Sequence, residues 1–103
     1  MYLIREIMYC KPGKVRAMVD KFKAMNAISK QIGMPPMRIM TDYCAEQYWT
    51  VVGEMEVADL ASFEKMMSTP QGSSEETKKF EEVMKGYHDL IDHGKREIYK
   101  IED

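Results

Sequence analysis

Hydrophobic positions alternate on both faces in the first segment, Tyr2 to Cys10 (YLIREIMYC). Tyr2, Ile4, Met8 and Cys10 form one set, and Leu3, Ile7 and Tyr9 the other. A strand apolar on both sets is expected to be covered on both faces. Lys11-Pro12-Gly13 breaks it, and Pro12 suits the first turn of a helix, where its missing N–H would be unpaired in any case. Val15, Met18, Val19, Phe22, Met25, Ile28 and Ile32 then recur at steps of three and four, the stripe of a helix of about 20 residues. Gly33 and Pro35-Pro36 stop it. Met37 to Tyr43 and Gln47 to Met55 read as two strands joined across Cys44-Ala45-Glu46, without an Asn-Gly or Asp-Gly turn signal. Asp59 suits the N-cap of a helical stretch carrying Leu60, Phe63, Met66 and Met67, which Thr69-Pro70-Gln71-Gly72 interrupts. Ser73 and Glu76 form a capping-box pattern before the stripe Phe80, Val83, Met84, Tyr87, Leu90 and Ile91. Gly94 fits the position after the helix, His93 its last turn, and Lys95 to Ile101 alternates as a closing strand. Gly86 falls inside that helix and Gly53 inside a strand, where a bulge or a close backbone approach is expected.

Strand, helix, strand, strand, broken helix, strand is the order of a ferredoxin-like βαββαβ fold, an α+β class with a four-stranded antiparallel sheet and its helices on one face. One such domain spans residues 1–103, with no internal repeat and no linker long enough to divide it. The opposite sheet face is then bare, and a second copy of the same sheet is the economical cover, so a homodimer through sheet faces is expected. Cys10 and Cys44 would end strands separated by a third, about 9.5 Å apart, beyond disulfide reach, so two free thiols are expected.

Composition adds exclusions. Fifteen basic against 17 acidic residues leave a net charge of -2, which argues against a general nucleic-acid binder. Charge is uneven: residues 1–50 carry 8 basic and 4 acidic groups, and residues 51–103 carry 7 and 13. No run approaches the roughly 20 apolar residues of a membrane helix, and Arg5 and Glu6 stand where a signal peptide would be apolar, so a cytoplasmic protein is expected, with no membrane partner. Two cysteines are too few for a zinc site, no metal is expected, and the glycine-rich phosphate loop, GxSxG, HExxH and CxxC motifs are missing. The unusual count is 11 Met against three Leu (Leu3, Leu60, Leu90), flexible side chains that fill gaps or adapt to an apolar guest.

The opening Ile4 to Lys14 (IREIMYCKPGK) and the stretch Tyr48 to Phe63 (YWTVVGEMEVADLASF) resemble NIPSNAP-like members of the dimeric α/β-barrel superfamily. The order of elements matches over essentially the whole chain, with Arg5 one residue further from Lys-Pro-Gly than is usual. The resemblance implies two sheets paired into a barrel and, where members act on small molecules, a pocket between sheet and helices. It includes antibiotic-biosynthesis-monooxygenase-like proteins that oxygenate aromatic compounds without a cofactor. A haem-degrading branch uses an asparagine on the first strand. Here Trp49 and His88 match by element, but Asn26 lies in the first helix, so no cofactor is expected.

Within that frame His88 and Arg5 are the candidate catalytic residues. His88 carries an imidazole, a side chain suited to general acid or base work, and Arg5 is a charge in an apolar strand that must meet a carboxylate such as Glu54 or Glu97, or a ligand anion. Trp49, Tyr9, Tyr43, Tyr48 and Met84 are the candidate ligand-binding residues, aromatic faces and a thioether suited to a small apolar or aromatic molecule. The alternative is a non-catalytic dimerisation or assembly module whose core is filled by its own methionines.

Overall fold

The computed structural model describes residues 1–31, 33–68 and 74–102. In chain order the elements are β1 (Tyr2–Cys10), α1 (Val15–Gln31), β2 (Arg38–Thr41), β3 (Thr50–Val57), α2 (Leu60–Ser68), α3 (Ser74–Met84), a 3₁₀ turn (Tyr87–Leu90) and β4 (Ile91–Lys100). The sheet order is β2-β3-β1-β4, and every neighbouring pair is antiparallel. This is the α+β, ferredoxin-like arrangement that the sequence implies, with β1 paired on both sides.

The alternation of β1 divides its residues between two faces. Ile4, Met8 and Cys10 point toward the helices, where Cys10 joins Val51 of β3 and Met18, Val19 and Phe22 of α1 in the main core. A smaller cluster sets Ile4 and Val57 against Phe63 of α2. Met18 is fully buried, and Met8, Met37 and Met84 pack around the main core. Thioethers therefore fill the space under the sheet.

Polar side chains fix the ends of the elements. Asn26 of α1 donates to the Met37 carbonyl (2.7 Å) and accepts from the Met37 N–H (2.9 Å), which pins the chain just before β2. The Lys21 ammonium donates to the carbonyls of Val83 (2.8 Å) and Lys85 (2.9 Å), a cation at the carbonyl end of α3. Asp59 caps α2 as expected, its carboxylate accepting from the Ser62 N–H at 2.7 Å. Those hydrogen bonds hold the Asp59 carboxyl below its ordinary range. Cys10 is buried, Cys44 exposed, and both are free thiols.

Several boundaries differ from the sequence reading. Lys11 to Lys14 is a turn, closed by Lys14 N–H to the Lys11 carbonyl (3.0 Å), with Pro12 and Gly13 at its centre and Gly13 at φ 81°. Pro12 thus sits in a Pro-Gly turn, and α1 begins at Val15. The helix carrying Met84 ends there, because Gly86 takes the left-handed conformation (φ 81°) and a 3₁₀ turn follows. Gly86 is therefore not a helix-interior glycine, and His88 lies on the 3₁₀ turn. His93 and Gly94 fall inside β4, because that strand pairs with β1 from Lys100 opposite Tyr2 to Ile91 opposite Cys10. Tyr48 and Trp49 are not in β3, which starts at Thr50, and residues 42–49 form a longer connection than expected. Asp42 closes it by accepting from the Thr50 N–H at 2.8 Å, with Trp49 at φ 62° beside it. Ile32, the Thr69 to Gly72 interruption and the Ser73 cap lie outside the described residues, as do the side chains of Glu76, Met66 and Met67.

The molecule measures 38 × 34 × 19 Å, and its short axis is one sheet layer plus one helix layer. Its accessible surface is 6973 Å², about 1,000 Å² above the roughly 6,000 Å² that size scaling gives a compact monomer of this mass. Among the described residues, no helix is long and apolar enough to cross a membrane.

Gly53 reveals how tightly the covered side is packed. A Cβ there would lie 2.8 Å from the Met37 sulfur and 3.1 Å from the Phe22 ring, so the close approach is by side chains and not by backbone. Met37 can swing aside, but the buried Phe22 cannot. Gly53→Ala is expected to destabilise the fold by about 1–3 kcal/mol, read as a lower urea midpoint at unchanged slope.

Candidate functional site

Three recesses hold the polar and aromatic side chains of interest. The first is a cleft of about 480 Å³ between the helix-side edge of β4 and the 3₁₀ turn, lined by Glu6, Met8, Tyr87, His88, His93 and Arg96 among others. Its position follows from the short 3₁₀ turn, which carries Tyr87 and His88 over β4 without covering it. The two rings stack at 3.9 Å between centroids. Arg96 pairs with Glu6 across the β1–β4 register and places its guanidinium 5.3 Å from the centre of the Phe63 ring. His88 is exposed at the mouth, while Met8 and Ile91 form the apolar floor.

The second recess lies on the opposite, helix-free face, and strand register builds it in rows. Arg38, Glu54, Arg5 and Glu97 sit side by side across β2, β3, β1 and β4. Glu54, only 8% exposed, accepts from Arg38 at one oxygen (2.6 Å) and from the Arg5 Nε and Nη2 at the other (3.2 and 3.0 Å). Arg5 also lies 3.6 Å from Glu97. The Arg38 hydrogen bond is the largest influence holding the Glu54 carboxyl below the usual glutamate range, and burial opposes it. Both carboxylates named as partners for Arg5 are therefore present, and Arg38 is an addition. The next row, Met40, Val52 and Ile7, is apolar, and the row beyond places Thr50, Tyr9 and His93 together. Tyr9 and His93 stack at 4.5 Å between centroids. With Ala45, Glu46 and Gln47 of the 42–49 connection, these rows enclose a trough of about 340 Å³. The third recess, about 270 Å³, is lined by Val15, Thr41, Asp42, Tyr48 and Trp49.

The candidate residues are thus distributed and not gathered. His88 lines the cleft, Arg5 and Tyr9 the trough on the other face, and Trp49 and Tyr48 the third hollow. Tyr43 is fully exposed and Met84 packs against the core. The separation of Arg5 and Tyr9 from His88 follows from parity: odd positions of β1 face away from the helices. Glu6, Tyr87, Arg96, Arg38 and Lys95 were not singled out from the sequence. The signal for Arg96 and Lys95 was the alternation of KREIYKI, which becomes legible once β4 is in register with β1. Among the described residues, no group of three His, Cys, Asp or Glu side chains is placed to hold a metal ion.

No protein-family model matches the chain, and no curated protein matches its sequence. Solved structures do match in fold. An uncharacterised NIPSNAP domain protein from Burkholderia xenovorans superposes with a TM-score of 0.69 at 14% identity, covering 99% of this chain and 95% of that one. A NIPSNAP family protein from Agrobacterium tumefaciens gives a TM-score of 0.71 at 13% identity, over 99% and 93% of the two chains. A structure described as an antibiotic biosynthesis monooxygenase gives 0.70 at 11% identity over 100% of both. The fold of this chain is that of the NIPSNAP-like and antibiotic-biosynthesis-monooxygenase-like structures.

Glu54 makes the ionic row pH-sensitive. Its carboxyl is held below the ordinary value in the folded state, so its contribution is present at neutral pH and lost as the pH falls through the folded-state value. Glu54→Gln is expected to be less stable at pH 7 by about 1 kcal/mol. Urea titrations at pH 7 and at about pH 3 should show a smaller loss on acidification in the variant than in the wild type.

Proposed function

We propose that the chain acts as a homodimer joined through its helix-free sheet faces and that it binds a small aromatic molecule bearing oxygen functions in the cleft beside the 3₁₀ turn. The open cleft of about 480 Å³ carries the ligand part of this reading. Its volume is within the range of small-molecule sites, and its lining combines an apolar floor with a few convergent polar groups. The main core is filled by Met18, Phe22 and their neighbours, so a guest is held at the margin of the core. In this reading a planar ligand lies against the stacked Tyr87 and His88 rings, and His88 exchanges a proton with a ligand hydroxyl or stabilises its oxyanion. The fold shared with a structure described as an antibiotic biosynthesis monooxygenase makes hydroxylated aromatics the ligands to try, with oxygenation as the reaction.

The dimer reading rests on the helix-free sheet face, which carries the apolar row Met40, Val52 and Ile7 and the half-exposed Tyr99. The charges on that face are paired within one sheet, so covering Arg5 and Glu54 would strand neither. A cytoplasmic setting fits the two free thiols.

Two measurements separate these claims. Light scattering should return twice the 12.0 kDa chain mass, and Tyr99→Lys, on the open face, should lower it toward the single-chain value. A single-chain mass for the wild type would remove the dimer. Incubation of hydroxylated naphthalenes with oxygen should show turnover that His88→Ala reduces about 100-fold or more, with ligand binding weakened roughly 3- to 10-fold. Binding without turnover would leave a ligand carrier, and loss of neither in His88→Ala would remove the cleft.

A further inference from the structure

The trough on the helix-free face has a polar inventory of its own. Its floor is the apolar row Met40, Val52 and Ile7. On one side runs the ionic row, whose Glu54 oxygens are both engaged by arginines. On the other side stands Tyr9, only 7% exposed, with its ring fixed against His93. Lys95, opposite Ile7 in register, closes the end of the floor. Its ammonium lies 3.4 Å from a Glu97 oxygen, and Tyr9 lines the same trough. Both neighbours hold the Lys95 pKa above its ordinary value, Tyr9 more strongly.

Counting valences shows what a guest must supply. An ammonium has three N–H donors, and Lys95 has one Glu97 oxygen at 3.4 Å, so it has donors to spare. A phenol whose oxygen faces an ammonium still has its own O–H to give. Thr50 donates to the Gln47 carbonyl (2.8 Å), so that hydroxyl is occupied within the chain. Tyr9 and Lys95 therefore offer donor capacity over the floor, and Glu46 and Gln47 of the 42–49 connection line its edge. The charged strand residues that line the trough are balanced and paired, Arg5 with Glu54 and Glu97 and Lys95 with Glu97, while Glu46 lies on the 42–49 connection. Balanced charges disfavour a charged guest, and convergent donors favour an acceptor oxygen.

We propose that this trough is a second small-molecule site, which takes an uncharged flat molecule with a carbonyl oxygen. Its apolar body lies across Met40, Val52 and Ile7, and its oxygen accepts from the Tyr9 O–H and the Lys95 ammonium. The site lies on the other face of the sheet from the cleft beside His88, with Lys95 at the edge of both. In a homodimer joined through these faces it becomes an enclosed chamber.

The test is a titration of the full chain with acetophenone, followed by NMR of the methyl groups of Met, Ile and Val. The Met40, Val52 and Ile7 methyls should shift together in a saturable way, while those of Met8 and Ile91 in the cleft stay in place. Tyr9→Phe, which keeps the ring and removes one donor, should weaken binding roughly 3- to 10-fold. Ethylbenzene, the same shape without the oxygen, should bind the wild type more weakly than acetophenone by a similar factor, and benzoate should bind more weakly still. Shifts confined to Met8 and Ile91 would overturn the trough while supporting the cleft. Equal binding of acetophenone and ethylbenzene, or no shift at Ile7 and Val52 at millimolar ligand, would overturn it outright, the latter because the partner sheet fills the space.

Discussion

The structure depends on β1 being hydrogen-bonded along both edges. A nine-residue strand paired with β3 on one side and β4 on the other leaves its side chains only two directions, and parity assigns each residue to one of them. Even positions supply Ile4, Met8 and Cys10 to the helices, and odd positions supply Arg5, Ile7 and Tyr9 to the face without helices. The element boundaries that differ from expectation near the C-terminus follow from the same pairing. Residues that a local helix signal would have kept, His93 and Gly94, are drawn into β4 because β1 offers edge hydrogen bonds as far as Cys10.

Arg5 is the clearest consequence of that division. A guanidinium in the centre of a sheet is tolerable because three strands deliver its surroundings at one level: Glu54 from β3, Glu97 from β4, and Arg38 from β2 on the far side of Glu54. The row neutralises itself without help from another chain. It also borders an apolar strip, so the helix-free face is neither a uniform hydrophobic patch nor a uniformly charged one. Such a face can be covered by a second sheet with its charges already paired, and it retains a recess with definite hydrogen-bond polarity.

The helix-covered side has the opposite character. Met18, Phe22 and Val51 leave little room under the middle of the sheet, and the space left at Gly53 is taken by Met37 and Phe22. Met8, Met18, Met37, Met55 and Met84 fill space on this side. Among the described residues, recesses open where an element is short: at the 3₁₀ turn that fails to cover β4, and at the 42–49 connection with Trp49 in the left-handed region. Chemistry on this fold is therefore confined to its margins and to its uncovered face.

Much of the architecture was legible before any coordinates. The steps of three and four from Val15 to Ile28, the two-sided apolar pattern of β1 and the Asp59 cap are local signals with local physical causes, and they determine element order, fold class and the bare face. Arg5 could be assigned a carboxylate partner because an unpaired charge in an apolar strand is untenable. Two things were decided only by tertiary structure. The first is where short segments end, since Tyr48 and Trp49 have strand propensity but are held in a turn by Asp42 and Thr50, residues whose meeting depends on strand pairing. The second is which chemical groups share a recess. His88, Tyr9, Arg5 and Trp49 are all aromatic or titratable and were candidates for one pocket. The sheet lies between the first and the next two, because side-chain direction is fixed by register across strands and not by the identity of the residues along them.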